Sequence, residues 1–237
     1  MLLPRAKPPR FNFPMKDAMV EQTVILTGFE PFGGYAVNPS AEIVRALSGS
    51  RVGGALVRGH VLPVSLLRLP PLVDEILSAP PAAAVICLGL APGEPAIRLE
   101  RVGLNLAQFN IPDNDGRMLQ DAPLDPGAAD GLFATLPLRR IERRLLAAGI
   151  PARLSLSAGA YLCNAALYAF LRRLRDRNEP TPCGFVHLPL LPALVARALA
   201  EPGGPRGSAP GDPPPSMDLA TQTQAVRLVI EEALAGA

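Results

Sequence analysis

Apolar and polar residues alternate along the chain in blocks that predict strands followed by helices. Short aliphatic runs bounded by glycine, proline or polar loops are typical of buried strands, and they occupy 24–29, 55–65, 82–90, 96–106, 152–158 and 183–191. Apolar residues at helical spacing predict helices after Asn38, over 66–79 and 136–149, after Gly159, and over 216–235. Because strands and helices alternate, the pattern predicts an α/β fold, a three-layer α/β/α sandwich with a mixed, largely parallel central sheet.

Residues that favour helix ends support several of these boundaries. Asn38 or Ser40 is expected to cap the first helix, with Pro39 in its first turn. Gly149 is expected to end the helix over 136–149, and Ser216 to cap the last helix.

Composition along the chain indicates one domain with an irregular start. The segment 1–20 carries four prolines and no continuous apolar stretch, so we expect an irregular tail there and a single domain over 21–237. Within that domain the segment EPGGPRGSAPGDPPP, at 201–215, has the composition of a linker.

Charge, apolar run length and cysteine content argue against nucleic-acid binding, a membrane span and a disulfide framework. The 23 basic and 21 acidic residues give a net charge of +2, without the concentrated basic face that a nucleic-acid partner requires. No apolar run approaches the length of a membrane span. Three cysteines do not form a disulfide framework, which favours free thiols and a cytoplasmic location.

The cysteines differ in what their surroundings allow. Cys163 lies in SAGAYLCNAALYAFL, where a strand turns through Gly159 into a helix, and the first turn of a helix stabilises a thiolate. Packing in the core is an equally good interpretation of its position. Cys87 lies in an apolar run and should be inert. Cys183 and His187 have a C-x-x-x-H spacing, but two ligands do not make a zinc site, so no metal is expected.

A nucleophilic cysteine needs a histidine and a third group that orients it. Of the two histidines, His187 is favoured over His60 because it lies near the carboxyl end of a strand, where sites form in open α/β sheets. The third group could be Glu100, a carboxylate on an otherwise apolar strand, which could instead form an ion pair with Arg98 or Arg101 at a sheet edge. The alternatives, Asp113 and Asp115, lie in IPDNDG, whose composition is that of a turn.

The glycine-rich stretch TGFEPFGG has a strand before it and a helix after it. A phosphate-binding loop requires a lysine after its last glycine, and Gly34 stands there instead, so nucleotide binding is disfavoured. Phe29 and Phe32 flank the turn and could either line a small flat pocket or pack in the core.

Several stretches in one order are similar to the motifs of the pyroglutamyl peptidase I family, cysteine peptidases also called pyrrolidone-carboxylate peptidases. They are ILTGFEPFGGYAVNPS, GLAPGEPAIRLERVGLN, IPDNDG, SAGAYLCNAALY, GFVHLPLLP and PSM. The resemblance extends over nearly the whole chain from Val24 onward.

This resemblance implies an open α/β sandwich of the phosphorylase/hydrolase-like type, with Cys163 as nucleophile, His187 as base and Glu100 as the acid that orients it. It implies removal of an N-terminal pyroglutamyl residue from peptides through a thioacyl-enzyme, without cofactor or metal. Phe29 and Phe32 would hold the lactam ring between apolar faces. The family resemblance also implies a cytoplasmic homotetramer.

Three positions differ from the family pattern. Leu90 stands where a glutamine is usual, Arg98 where a serine or threonine is usual, and Asn110 where an arginine usually lies near the reacting carbonyl. Leu90 and Asn110 are therefore expected substrate contacts with altered chemistry. Since loss of one oxyanion donor costs about 10²–10³ in rate, we expect weak activity or a changed specificity.

Two other functions are compatible with the same residues. One is a related cysteine amidohydrolase that acts on another blocked or lactam-like amide, and the other is a binding protein that retains the fold without catalysis.

Overall fold

A computed structural model describes residues 21–200 and 212–235 of the chain. Its strands are β1 Thr23–Phe29, β2 Arg51–Val52, β3 Ala55–Leu62, β4 Ala84–Leu90, β5 Ile97–Glu100, β6 Val102–Leu104, β7 Gly131–Phe133, β8 Ala152–Ser155 and β9 Cys183–Leu188. Its helices are α1 Pro39–Leu47, α2 Leu69–Ile76, α3 Leu138–Ala147, α4 Leu162–Asp176, α5 Pro192–Ala200 and α6 Leu219–Leu234. The predicted tail, 1–20, and most of the predicted linker lie outside the described residues.

Seven of these strands form one sheet in the order β2-β3-β1-β4-β9-β5-β8. The pairs β1–β3, β1–β4, β4–β9 and β5–β8 are parallel, whereas β2–β3 and β5–β9 are antiparallel. Every residue of β4 and β9 is buried, as expected of central strands covered on both faces. The mixed, largely parallel sheet predicted from the sequence is confirmed.

Helices cover both faces of this sheet, each with its own apolar core. On one face the core includes side chains of α1, α3 and α6, and on the other it includes side chains of α2 and α4. Each helix buries an apolar stripe, for example Ile43, Val44 and Leu47 of α1, because burial of that stripe is the main source of helix stability in a small domain. The predicted three-layer architecture is therefore confirmed.

The first helix is fixed to the first strand by its cap. The Asn38 side-chain oxygen accepts from the Ser40 amide at 3.1 Å and from the Ser40 hydroxyl at 2.7 Å. The same hydroxyl accepts from the Phe29 amide at 2.9 Å. Gly28 is required beside it, because an added Cβ would lie 2.5 Å from the Ser40 carbonyl oxygen. Asn38 is thus the cap, one of the two residues expected there.

Several sequence-based boundaries were wrong. The strand expected over 96–106 is divided into β5 of the main sheet and β6, which pairs with β7 in a separate two-stranded sheet. The last helix is capped by Asp218, which accepts from the Thr221 amide, whereas Ser216 forms a bridge with Leu190. Helix α5 had no sequence-based prediction, because its apolar residues adjoin those of β9 in one continuous run.

Candidate functional site

Two rows of side chains cross the sheet beneath α4. Residues that face each other across neighbouring strands share one face of a sheet. The first row follows the register of β4, β9, β5 and β8 through Gly89, His187, Arg98 and Arg153. The second row follows the same strands through Cys87, Phe185, Glu100 and Ser155. The fold therefore places His187 and Glu100, which are 87 residues apart in the chain, side by side on adjacent strands.

Cys163 is the second residue of α4, as the sequence predicted, and its sulfur lies over this part of the sheet. An added Cβ at Gly89 would be 2.7 Å from Cys163 Sγ and 2.7 Å from the Phe185 ring, so only glycine leaves room for the sulfur. The first main-chain bond of the helix runs from the Ala165 amide to the Tyr161 carbonyl. The amides of 162–164 precede this bond and face outward at the positive end of the helix dipole.

His187 and Glu100 form the central contact of the site. His187 Nδ1 is 2.8 Å from Glu100 Oε1, and both side chains are buried. A carboxylate accepts from the imidazole, so Nδ1 carries the proton and Nε2 has a free lone pair. The Phe185 ring packs against the imidazole, with centroids 4.7 Å apart. The pair holds His187 in the orientation and tautomer that a general base requires.

Glu100 also forms an ion pair with Arg98, one of the two partners that the ion-pair interpretation of this residue named. Arg98 Nη2 lies 3.0 Å from Glu100 Oε1, the same oxygen that contacts His187. The expected sheet edge was wrong, because β5 lies between β9 and β8. Glu100 is fully buried, and a buried carboxylate requires such partners to offset the loss of hydration.

Burial dominates the electrostatics of the candidate nucleophile. It raises the pKa of the Cys163 thiol to about 12, and the negative charge of Glu100 raises it further, while Arg98 opposes them. A thiolate stabilised by the helix end was expected from the sequence. In the free site the cost of desolvation exceeds that stabilisation, so the thiol is neutral at pH 7 and must lose its proton to a base when it attacks.

The other titratable candidates lie elsewhere or have structural roles. His60, on β3, is separated from β9 by β1 and β4. Asp113 accepts from the amides of Leu66, Asp115 and Arg117, which makes it the centre of a turn. Asp115 pairs with Arg68 at 3.1 Å. The turn interpretation of IPDNDG is thus supported, and Glu100 is the carboxylate beside the imidazole.

The four residues expected to contact a substrate have different environments. Phe29 is 2% exposed and packs in the core between the sheet and α4. Phe32 is partly exposed, and its ring centroid lies 6.1 Å from that of Tyr161. Leu90 is buried in a small cluster with Leu190, against which Phe32 also packs. Asn110 lies on an exposed loop. Their substrate contacts remain predictions.

Sequence reasoning overlooked two residues that build this site. Tyr161 precedes α4, packs edge to face on Phe109 at 4.8 Å and donates its hydroxyl proton to the Pro112 carbonyl. Asn164 is fully buried, and its side chain pairs with both backbone groups of Leu104 and with the Leu106 carbonyl, which anchors α4 next to Cys163. The signal available in the sequence was an asparagine directly after the cysteine, in an otherwise apolar run.

Metal-binding clusters and membrane-spanning helices are absent from the part of the chain that the structure describes. Within 21–200 and 212–235 there is no cluster of three or more histidine, cysteine, aspartate or glutamate side chains that could hold a metal ion. None of the helices in these ranges combines the length and apolar character needed to cross a membrane.

Comparisons with known proteins point to one family. A family profile described as pyroglutamyl peptidase matches residues 22–235. The pyrrolidone-carboxylate peptidase of Pyrococcus furiosus is 38% identical over 211 residues, covering 89% of this chain and 97% of that protein. That of Deinococcus radiodurans is 41% identical over 211 residues, covering 88% of this chain and 93% of that protein.

Solved structures give the same result. A mutant pyrrolidone carboxyl peptidase from Pyrococcus furiosus superposes with a TM-score of 0.84 at 37% identity, covering 91% of this chain and 99% of that chain. Pyrrolidone carboxyl peptidase from Thermococcus litoralis superposes with a TM-score of 0.84 at 36% identity, covering 90% of this chain and 94% of that chain.

Proposed function

The chain belongs to the pyroglutamyl peptidase family, as its motifs predicted, and from this membership and the site geometry we propose that it removes N-terminal pyroglutamate from peptides. The observation that carries the proposal is the buried pair of His187 Nδ1 and Glu100 Oε1, 2.8 Å apart. His187 is the cross-strand neighbour of Gly89, and Cys163 Sγ lies over that glycine. A nucleophile, a base and a group that orients the base are the parts that acyl transfer requires.

The proposed reaction begins with a neutral thiol. His187 accepts the Cys163 proton at Nε2 as Sγ attacks the carbonyl carbon of the pyroglutamyl residue, and Glu100 stabilises the imidazolium that forms. The tetrahedral oxyanion collapses, the carbon–nitrogen bond breaks, and His187 returns the proton to the departing amine. Water, deprotonated by His187, then cleaves the thioester and releases pyroglutamate and the free thiol.

The start of α4 is the element suited to the oxyanion. Its amides at 162–164 lie beside the sulfur and at the positive end of the helix dipole, so they can donate to the developing negative charge without reorganisation. Tyr161 fixes the chain immediately before them through its ring contact with Phe109.

Aromatic side chains beside this helix suit an uncharged lactam ring. Phe32 and Tyr161 present partly exposed rings, with centroids 6.1 Å apart, and Tyr161 lies two residues before the cysteine. Pyroglutamate has no charged N-terminus, so apolar walls with a few backbone hydrogen bonds match it better than a carboxylate would.

The test is release of a fluorophore from a pyroglutamyl amide by the wild type and by Cys163→Ala. The proposal expects release that is lost in Cys163→Ala while the far-ultraviolet circular dichroism is unchanged. Equal release by both proteins would overturn the assignment of Cys163.

A panel of other N-acyl and lactam amides decides the specificity. Of the three positions that differ from the family pattern, Leu90 is apolar and almost fully buried, whereas Asn110 presents a polar side chain to solvent. Turnover of another amide in the panel, without turnover of the pyroglutamyl amide, would favour the related amidohydrolase instead.

A further inference from the structure

Arg98 is the only arginine or lysine of the described residues that forms an ion pair with Glu100. Its Nη2 atom lies 3.0 Å from Glu100 Oε1, and His187 Nδ1 lies 2.8 Å from the same oxygen. The two nitrogens can therefore be no more than about 6 Å apart, and Arg98 is the direct cross-strand partner of His187. One carboxylate oxygen is thus shared between a permanent cation and the candidate base.

The Arg98 guanidinium is held in this position by further contacts of both its terminal nitrogens. Nη1 lies 3.0 Å from Glu94, while Nη2 donates to the Ser155 hydroxyl at 2.9 Å and to the Ser157 carbonyl at 2.7 Å. The Arg98 side chain is 19% exposed. Because it is held at several points and largely shielded from solvent, its charge acts on Glu100 and His187 with little screening.

Within 21–200 and 212–235, few other titratable or charged groups lie near Glu100. Cys163 on α4 and Cys87 on β4 are thiols whose pKa values burial raises to about 12, so both are neutral near pH 7. Arg153 on β8 pairs with Glu94 at 2.8 Å, on the outer side of Arg98. Arg101 follows Glu100 in the chain and lines a separate cleft with Phe133. Arg98 is therefore the charge that most directly opposes Glu100 at the imidazole.

We propose that Arg98 is a positioning residue: it holds the Glu100 carboxylate against His187 and, by its charge, sets the pH below which the imidazole becomes protonated. The positioning role rests on the shared oxygen: by contacting Glu100 Oε1, the guanidinium holds that atom next to the imidazole. The electrostatic part follows from the sign of the charges. A cation near Glu100 disfavours a second cation on His187, so the imidazole stays neutral, and competent as a base, to a lower pH than it would beside Glu100 alone.

Removal of the positive charge of Arg98 should change the pH at which the His187–Glu100 pair takes up a proton. In Arg98→Met the negative charge of Glu100 is no longer offset, so the His187–Glu100 pair takes up a proton at higher pH. For two charges less than about 6 Å apart in a partly shielded site, we expect the titration midpoint of His187 to rise by about one pH unit.

The chain offers a direct way to measure this midpoint, because it contains only two histidines. In protein labelled with ¹³C at histidine Cε1, NMR follows His187 and His60 separately, with His187→Gln to assign the signals. His60 lies on β3, near Arg58 and Glu75, and serves as an internal reference. We expect the His187 midpoint to rise in Arg98→Met while that of His60 does not move.

Two variants separate charge from structure. Arg98→Lys keeps the positive charge but loses the two-armed guanidinium that contacts Glu94 with one nitrogen and Ser155 and Ser157 with the other. It should therefore restore most of the wild-type midpoint. Arg153→Met removes an arginine that contacts the same Glu94 but not Glu100, and it should leave the His187 midpoint in place. If Arg98→Met does not fold, Arg98→Gln removes the same charge with a polar side chain of smaller volume.

The proposal is overturned if the His187 midpoint stays at its wild-type value in Arg98→Met or Arg98→Gln, or if Arg98→Lys moves it as far as Arg98→Met does. Its kinetic part rests on the proposed function: the acid limb of kcat/KM on a pyroglutamyl amide should move by the same amount as the NMR midpoint. The two failures are distinguishable. A moved midpoint in a protein that hydrolyses no pyroglutamyl amide refutes the proposed function alone, and an unmoved midpoint in an active enzyme refutes the role of Arg98 alone.

Discussion

The sulfur of Cys163 lies over Gly89, so closely that a Cβ at position 89 would come within 2.7 Å of Sγ. Gly89 is also the cross-strand partner of His187. Gly89 therefore contacts the cysteine of helix α4 and also lies beside the histidine of β9. Neither the Cys163 helix nor β9 can shift sideways without disturbing this contact, since both pack on the same buried strand.

Gly89→Ala should displace Sγ and reduce kcat/KM by about 10²-fold, because a displacement on the order of 1 Å at a reacting atom has effects of that size. Overpacking against the Phe185 ring should also lower the free energy of unfolding by about 1–3 kcal/mol. Steady-state kinetics and thermal unfolding check the two effects. Gly131→Ala, where an added Cβ has ordinary contacts at 3.5 Å, is the control and should retain both properties. Full activity in Gly89→Ala would contradict the proposed position of the sulfur during the reaction.

Glu100→Gln keeps the shape of the side chain but removes the charge that stabilises the imidazolium of His187. We expect kcat to fall by about 10²-fold or more, as is typical when a triad acid is replaced by its amide. Asp115→Asn is the matched control, since Asp115 was an alternative for the same role but pairs with Arg68 on the surface. Loss of kcat in Asp115→Asn with normal kcat in Glu100→Gln would reverse the assignment. Initial-rate measurements on a pyroglutamyl amide decide it.

The sequence indicated which residues could form a triad but not how they are arranged. Cys163 at the start of a helix followed from small residues before an apolar run, and the fold class followed from alternating strands and helices. The antiparallel register that places Arg98 opposite His187 has no local signal, because this pairing joins residues that are 85 to 89 positions apart in the chain. The raised pKa of Cys163 was missed for the same reason: helix position is local, whereas burial is a property of the whole fold.

The neutral state of the Cys163 thiol predicts how it titrates. Its pKa of about 12 in the folded protein lies above the value of about 8.5 for an unfolded chain. The difference in absorbance at 240 nm between the wild type and Cys163→Ser should therefore show no thiolate at pH 7 and should grow only above about pH 10. A full thiolate signal at pH 7 would instead indicate a preformed thiolate–imidazolium pair.

The same pKa difference makes the stability of the protein depend on pH. A group whose pKa is raised on folding stabilises the fold below its unfolded pKa, and this contribution is lost as pH rises towards its folded pKa. The free energy of unfolding of the wild type should thus decline relative to that of Cys163→Ser between about pH 9 and pH 12. Urea denaturation of both proteins across this range measures the difference. A constant difference would show that the thiol is less buried than its surroundings indicate.

Asn164→Ala should destabilise the fold by about 2–3 kcal/mol, because it leaves the backbone groups of Leu104 and the Leu106 carbonyl without their partner. Urea denaturation measures this loss. Asn114→Ala, which removes contacts of an exposed asparagine with Glu30 and Pro31, should change stability by less than about 1 kcal/mol. Equal effects of the two substitutions would refute the role of Asn164 as the anchor of α4.

Phe29 and Phe32 lie three residues apart in the same motif, yet they differ in burial. We therefore expect their substitutions to affect different properties. Phe29 is 2% exposed, so Phe29→Ala should lower the free energy of unfolding by about 3–5 kcal/mol. Phe32 presents a partly exposed ring beside Tyr161, so Phe32→Ala should cost much less stability but raise KM for a pyroglutamyl amide about tenfold. Thermal unfolding and Michaelis kinetics on both variants test the distinction. An unchanged KM in Phe32→Ala would show that Phe32 does not contact the substrate, because loss of a ring that contacts the lactam must weaken binding.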